Sequence, residues 1–459
     1  MATSETQNNL KQNHFGEGPV WKCIVIQAIP LTLAQLVSLL YNVVDRIYLG
    51  HLGEAESMAL TGVGLTFPII SLIMAFTALF GNGGVPLFAM ARGRDDKEEA
   101  SRIMGNSFGL LVLTSFVLMA VGYMFCKPIL YLFGASDASY IYAAEYLRIY
   151  LMGTAFTMIS VGMNGFINAQ GFPKIGMYTT IIGAVLNIGL DPLFIFVLDM
   201  GVGGAALATV LSQAVSAIWV LGFLTGSKTP IRLQRDSVRL SKRTTSKILK
   251  LGSANFIVHG SNCLVQVLCN VTLQAFGGDL YVGIMTVLNA IREITVLPIF
   301  GLVNGGQPVI SYNYGAGNGE RVKAGIKFFS LLGILYTLVA WLAIIAFPAF
   351  WFHVFTDDMQ MLASGGKALQ VYFFGFIFMA LQFAGQSTFQ AVGDAKHSIF
   401  FSTLRKVIIV VPLTILLPRL GFGVMGVFLA EPISNVIGGT ACYTTMWRTV
   451  YRRLGREEI

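Results

Sequence analysis

Apolar runs long enough to cross a bilayer recur along this chain, and nothing else constrains its fold as tightly. A spanning helix needs about 20 mostly apolar residues. Cut at its polar interruptions, the chain supplies twelve such segments, approximately 19–50, 57–81, 102–126, 140–168, 175–199, 203–225, 248–277, 281–306, 322–347, 365–392, 397–417 and 422–446. Only 12% of residues are charged, against about 25% in an ordinary soluble domain, and mean hydropathy is +0.69. The expected fold class is an all-α polytopic membrane protein with twelve transmembrane helices.

Lys and Arg accumulate in cytoplasmic loops, so their distribution sets the orientation. Lys11 and Lys22 precede or open the first run, Arg92, Arg94, Lys97 and Arg102 fill the second loop, and Lys228, Arg232, Arg235, Arg239, Lys242, Arg243 and Lys247 the sixth. Lys174, Arg321, Lys323, Lys327 and Lys396 follow in later even-numbered loops, and Arg448, Arg452, Arg453 and Arg456 end the chain. Odd-numbered loops hold only Lys127, Lys367 and Arg419. Both termini are therefore expected in the cytoplasm, with the chain in the cell membrane. The loop bias accounts for the net charge of +8, so no nucleic-acid partner is implied; the basic loops face anionic lipid. Residues 1–18 are polar and contain no signal-peptide core. Cys23, Cys126, Cys263, Cys269 and Cys442 stand singly in or near apolar stretches and read as small hydrophobes.

The two halves resemble each other at an offset close to 222 residues. Asn82-Gly83-Gly84-Val85-Pro86 returns as Asn304-Gly305-Gly306-Gln307-Pro308, Gly93 as Gly315, Tyr150 and Gly153 as Tyr372 and Gly375, and Ala169, Gly171 and Lys174 as Ala391, Gly393 and Lys396. Gly204 and Ala208 return as Gly426 and Ala430. With six helices in each half, both enter the membrane in the same sense, which predicts two pseudo-symmetric six-helix lobes about an axis along the membrane normal. The expected organisation is a tail over 1–18, an N-lobe over 19–225, a basic linker over 226–247, a C-lobe over 248–446 and a tail over 447–459. A cleft between such lobes opens to either side by rocking, the geometry of alternating access. The glycine runs Gly201 to Gly204 and Gly315 to Gly319 follow no strand and lack a Gly-Lys-Ser/Thr ending, so they read as helix packing and loop breaks, not phosphate cradles.

Against this apolar background Asp45 and Asp191 stand out. A carboxylate near the middle of a spanning helix costs roughly 2.5–3.5 kcal/mol on the most lenient scale. At about 1.5 Å per residue, Asp45 lies about 7 Å, Asp191 about 12 Å and Thr209 about 9 Å below the outer helix ends. Asn187 shares a face with Asp191, and Tyr41 and Asn42 with Asp45. The set is rich in oxygen and suits a hard monovalent cation. Two nearby carboxylates in a low dielectric do not both ionise readily, so the same set suits Na⁺ or H⁺. The alternative is that Asp45 pairs with Arg46 at the interface and Asp191 caps a kink at Pro192.

Other polar residues in the apolar runs are less specific. Asn164 and Asn168 share one helix face, as do Gln382 and Gln386, and each pair either lines a cleft or bonds helix to helix. Arg292 and Glu293 are adjacent, and Glu431 takes the repeat position of Thr209, with Arg405 and Lys406 nearby, as a salt-bridge network or a second site. No His-Asp spacing or metal-ligand cluster marks a loop, so the chain is not expected to be an enzyme.

Pro30 followed by Asn42-Val43-Val44-Asp45 and Gly50, the duplicated Asn-Gly-Gly-x-Pro, Asn187 to Asp191 and Gly204 to Thr209 together resemble the multidrug and toxic compound extrusion (MATE) family from about residue 15 to 450. That resemblance implies an antiporter exporting amphipathic, often cationic, organic compounds in exchange for Na⁺ or H⁺, with no cofactor. By similarity the cation site falls on Asp45, Asn187, Asp191 and Thr209, with Tyr41 and Asn164 beside it. Asn164, Asn168, Gln386, Glu293 and Glu431 are candidates for the substrate cleft. A monomer is expected. The competing reading is a flippase or exporter of a lipid-linked or specific metabolite cargo, which a strongly basic cavity would favour.

Overall fold

The computed structural model describes residues 12–49, 56–133, 135–355 and 359–454; Lys11, Gly50 and Arg456, and the side chains of Arg46 and Cys263, lie outside the described residues. Among these the chain is helical and has no strand. The helices are α1 (Val20–Leu49), α2 (Glu56–Gly93), α3 (Lys97–Met124), the short α4 (Cys126–Leu132), α5 (Asp137–Met152), α6 (Thr154–Ala169), α7 (Pro173–Pro192) and α8 (Gly201–Thr225) in the first half. The second half contains α9 (Lys242–Gly315), α10 (Gly319–Ala346), α11 (Pro348–His353), α12 (Met359–Phe373), α13 (Phe376–Ala391), α14 (Ala395–Thr403), α15 (Val411–Leu417) and α16 (Gly423–Met446).

Nine of these helical stretches are apolar and long enough to cross a membrane, and α5 with α6, bent by 57° at Gly153, makes one more. Two of the nine are pairs. The 74-residue α9 reverses at Gly278, whose φ of 68° only glycine adopts without strain, and the stretch from Ala395 to Tyr451 turns at Gly421 and Gly423. Resolving both gives the twelve crossings expected, in two six-helix lobes.

The repeat is visible in the turns themselves. Asp95 and Gly317 both take positive φ (58° and 71°), and the residue after each caps the next helix, Asp96 through the Glu99 N–H and Asn318 through the Arg321 N–H. Gly171 and Gly393 form a second equivalent pair, with φ of 91° and 78°. Most telling is a reciprocal contact where α2 and α9 end. A Cβ on Gly93 would fall 2.0 Å from the Tyr312 carbonyl oxygen, and one on Gly315 would fall 2.0 Å from that of Met90. Each member of one contact is its counterpart in the other, shifted by 222 residues, which is what a two-fold axis demands.

Two expectations change. Asn82 to Pro86 and Asn304 to Pro308 do not follow helices but lie inside them, since α2 runs to Gly93 and α9 to Gly315. The glycines there serve close helix approach: Gly83 packs on Gly252 and Gly305 on the Ala28 backbone, and packed neighbours let a helix carry its prolines. The starts of the halves are also exchanged. Phe15, Val20, Cys23, Ile24 and Ala28 are buried with Leu302, Val309 and Phe329, whereas Ile248 joins the core of the first half. The basic segment 226–247 is no loose tether, because Asn106 bonds the Ser237 and Arg239 carbonyls and Gln170 accepts from Thr229 and Ile231.

Residues 12–18 strap the halves together at the end of the bundle that carries the N-terminus. Asn13 N donates to Gly171 O at 2.8 Å, while Phe15 O accepts from Arg321 Nη2 at 2.8 Å and Asn313 Nδ2 at 3.0 Å. The Arg92 guanidinium sits 5.1 Å over both the Phe15 and Tyr312 rings. Farther along, α1 leaves this packing, and no described residue beyond Ala34 in it is fully buried.

Candidate functional site

Asp191 lies in the last turn of α7, which ends at Pro192. Proline supplies no N–H and its ring clashes with the carbonyl four residues back, so the helix widens into a π-helical stretch over Leu193–Val197. The widening sets Asp191 inward, at 0% exposure. Gly204 makes room for it, since a Cβ there would lie 2.8 Å from the Phe194 carbonyl.

Asn187, one turn earlier, donates its Nδ2 to Asp191 Oδ1 at 3.2 Å and to Thr209 Oγ1 of α8 at 3.4 Å. Asp45 of α1 is close enough to Asp191 for their charges to act on each other, and Tyr41 feels both. The structure thus brings together the sequence-predicted Asp45, Asn187, Asp191, Thr209 and Tyr41. Asn42 is exposed, bonds back to the Ser38 carbonyl at 2.7 Å and shares a side-chain hydrogen bond with Tyr41.

Two groups remain open. Asp191 Oδ2 and Asn187 Oδ1 are buried and have no hydrogen-bond partner among the described residues. An unpaired buried polar atom is expensive, more so on an acid, and both point to a missing electropositive guest. Na⁺ fits because every available donor is a hard oxygen; a proton on Asp191 fits because it would turn the acid into a donor. No group of three or more His, Cys, Asp or Glu suited to a metal occurs among the described residues.

Tyr146 and Tyr150 belong to the same site and are not singled out as ligand neighbours by sequence. Both rings are buried and stacked at 6.0 Å, Tyr146 shares a hydrogen bond with Thr209, and Asp45 lies within its electrostatic reach. Their four-residue spacing was the available signal.

Asn164 is placed elsewhere. It bonds the Gly176 carbonyl at 3.0 Å and Thr179 Oγ1 at 3.1 Å, and Thr179 is about 18 Å along α7 from Asp191. Asn168 sits against Gly176, and its carbonyl accepts from Gln27. Gln382 donates to Gln386, which donates to Ser402 at 2.6 Å, so this pair ties α13 to α14. Glu293 is exposed.

Glu431 of α16 also precedes a proline, Pro432, but its surroundings are opposite. Its Oε1 lies 2.8 Å from Lys406 Nζ, 3.4 Å from Arg292 Nη1 and 4.0 Å from Arg405 Nη1. Arg405 donates to Asn435 Oδ1 at 2.8 Å. The cluster faces a cavity of about 100 Å³ lined among others by Asn262, Gln266, Asn289 and Tyr372.

The chain is similar to known proteins over most of its length. The MatE family profile matches residues 30–193 and 260–416. The multidrug export protein MepA of Staphylococcus aureus (strain MSSA476) is 24% identical over 415 residues, covering 90% of each chain, and that of Staphylococcus haemolyticus (strain JCSC1435) is 23% identical over 425 residues, covering 92% of each. Crystal structures of a MATE in its straight and bent conformations superpose with TM-scores of 0.88 and 0.89 at 23% identity, covering 100% of each chain. An outward-facing multidrug resistance MATE transporter of the MOP superfamily gives 0.88 at 23% identity over 99% of each. At these identities the structures speak for the fold alone.

Proposed function

This chain belongs to the MatE family, whose members are transporters and not enzymes, and on that premise we propose that it exports small organic compounds across the cell membrane in exchange for Na⁺ or H⁺. One observation carries the coupling: buried Asp191 Oδ2 and Asn187 Oδ1, beside Asp45, have no partner among the described residues. A cation arriving there offsets one of the two negative charges and supplies the missing partner. Its binding energy differs between the two states of the bundle only if the site changes shape as the lobes rock, and Asp191 at a π-helical widening is suited to that.

With both termini cytoplasmic, the glycine contact and the strap lie on the inner side and close it. An outward-facing state with its inner side shut is the one that takes up a cation from outside and releases cargo. The chain acts as a monomer, with lobes over 19–225 and 248–446 and cargo between them.

The test is dye efflux from vesicles under an imposed Na⁺ gradient and, separately, an imposed pH gradient. Efflux is expected to follow one of them and to be lost in Asp191→Asn. Efflux indifferent to both gradients overturns the coupling.

A further inference from the structure

We propose that the cavity beside Glu431 binds a single carboxylate carried by the cargo; this rests on the export reading above. The charges do not balance. Arg292, Arg405 and Lys406 surround one acid, and all three address the same oxygen of it. Lys406 is 2% and Glu431 7% exposed, so water does little to offset the excess. Glu293, exposed and about 100° around the helix from Arg292, acts on Arg292 less than Glu431 does and still leaves three cations against one buried acid.

The cations are not equivalent. Lys406 is committed to Glu431, and Arg405 spends a donor on Asn435. The Arg292 side chain is 32% exposed and borders the cavity, whose other polar walls, Asn262, Gln266, Asn289 and Tyr372, carry no negative charge. A guanidinium offers parallel N–H donors matched to the two oxygens of a carboxylate. The volume of about 100 Å³ is a fraction of the 300–1,000 Å³ typical of a drug-sized pocket, so one anionic group enters and the rest of the cargo stays in the cleft. Arg405 and Lys406 lie in a π-helical stretch, Leu404–Val410, the same device that sets Asp191 inward in the other half. A small inorganic anion shares this chemistry, and the test separates the two sources.

The experiment uses the full chain in proteoliposomes and a matched pair of rhodamine dyes, one a free acid and the other its methyl ester, under the same driving gradient. The wild type is expected to half-saturate at about tenfold lower concentration of the acid, the worth of one charge-assisted bond. Arg292→Gln is expected to erase that ratio and Arg292→Lys to restore part of it. Acetate is expected to inhibit uptake of the acid more strongly than that of the ester. Equal half-saturation of the two dyes in the wild type overturns the site, as does a ratio that survives Arg292→Gln. Ester uptake that stops when chloride is removed, with sucrose holding the osmotic strength, assigns the cavity to an inorganic anion and also overturns it. Should Arg292→Gln fail to accumulate, the wild-type ratio and the acetate inhibition decide. Ester moved without preference sinks this site while leaving cation coupling standing; neither dye moving under any gradient sinks the export reading and this inference together.

Discussion

Each half holds a buried acid in a cluster at a matching place in the bundle, though the acids are not themselves repeat partners, and the two have opposite surroundings. Thr209 and Glu431 are repeat equivalents, 222 residues apart, so the N-half cluster and the C-half cluster stand at corresponding places. In the N-half, Asp191 has one oxygen held by Asn187 and one without a partner, with Asp45 adding a second negative charge. In the C-half, Glu431 is oversupplied with cations. Each acid precedes a proline, so backbone context does not separate them. Their neighbours do: an undersupplied buried acid is a place for a cation, and an oversupplied one is part of a frame.

The sharpest way to break this comparison is to neutralise each acid in turn. Asp191→Asn in a drug-sensitive host is expected to reduce efflux at least about thirtyfold with protein level unchanged, the scale of losing one member of a buried charged contact. Retained resistance removes Asp191 from the coupling site. Glu431→Gln is expected to act on stability instead, lowering it by about 3–5 kcal/mol because three cations lose their shared partner. Thermal unfolding in detergent reads this, and an unchanged midpoint shows that the cations are already balanced by something else.

A finer distinction uses pH. If Na⁺ is the coupling ion, protons compete with it for the same oxygens, so the Na⁺ concentration for half-maximal efflux should rise as pH falls. A half-saturation flat across pH separates the two ions and argues for a site that excludes protons. The smallest effect belongs to Tyr146→Phe, which removes one hydroxyl from Thr209 and is expected to weaken apparent cation affinity about fivefold, or about 1 kcal/mol. The same change at Tyr372, repeat partner of Tyr150, should leave cation affinity alone.

Much of this was legible in the sequence, for physical reasons that also mark where legibility stops. Asp45 and Asp191 declare themselves because charge in an apolar run is expensive, and the spacing of Asn187 and Asp191 fixes a common face. Tyr146 and Tyr150 do not, because an aromatic residue costs nothing in lipid and these are two of 16 tyrosines. Whether they face the site depends on the 57° bend at Gly153, which hydropathy does not encode. Hydropathy likewise reads Asn82 to Pro86 as an end, whereas packing of Gly83 on Gly252 carries α2 onward. Around Glu431 the sequence offers a salt-bridge network with Arg405 and Lys406 as one of two readings, but not the arrival of Arg292 from a third segment.

The paired contacts of Gly93 with the Tyr312 backbone and of Gly315 with that of Met90 have a consequence for how fast the lobes can swing. No side chain stands at either glycine, so parting them there means wetting carbonyls and not unlocking interdigitated rotamers. Friction at that joint is therefore small, and the rate of the swing is set by the strap over residues 12–18 and by lipid moving out of the way. Bilayer thickness and viscosity should then govern turnover more than the strength of the joint itself.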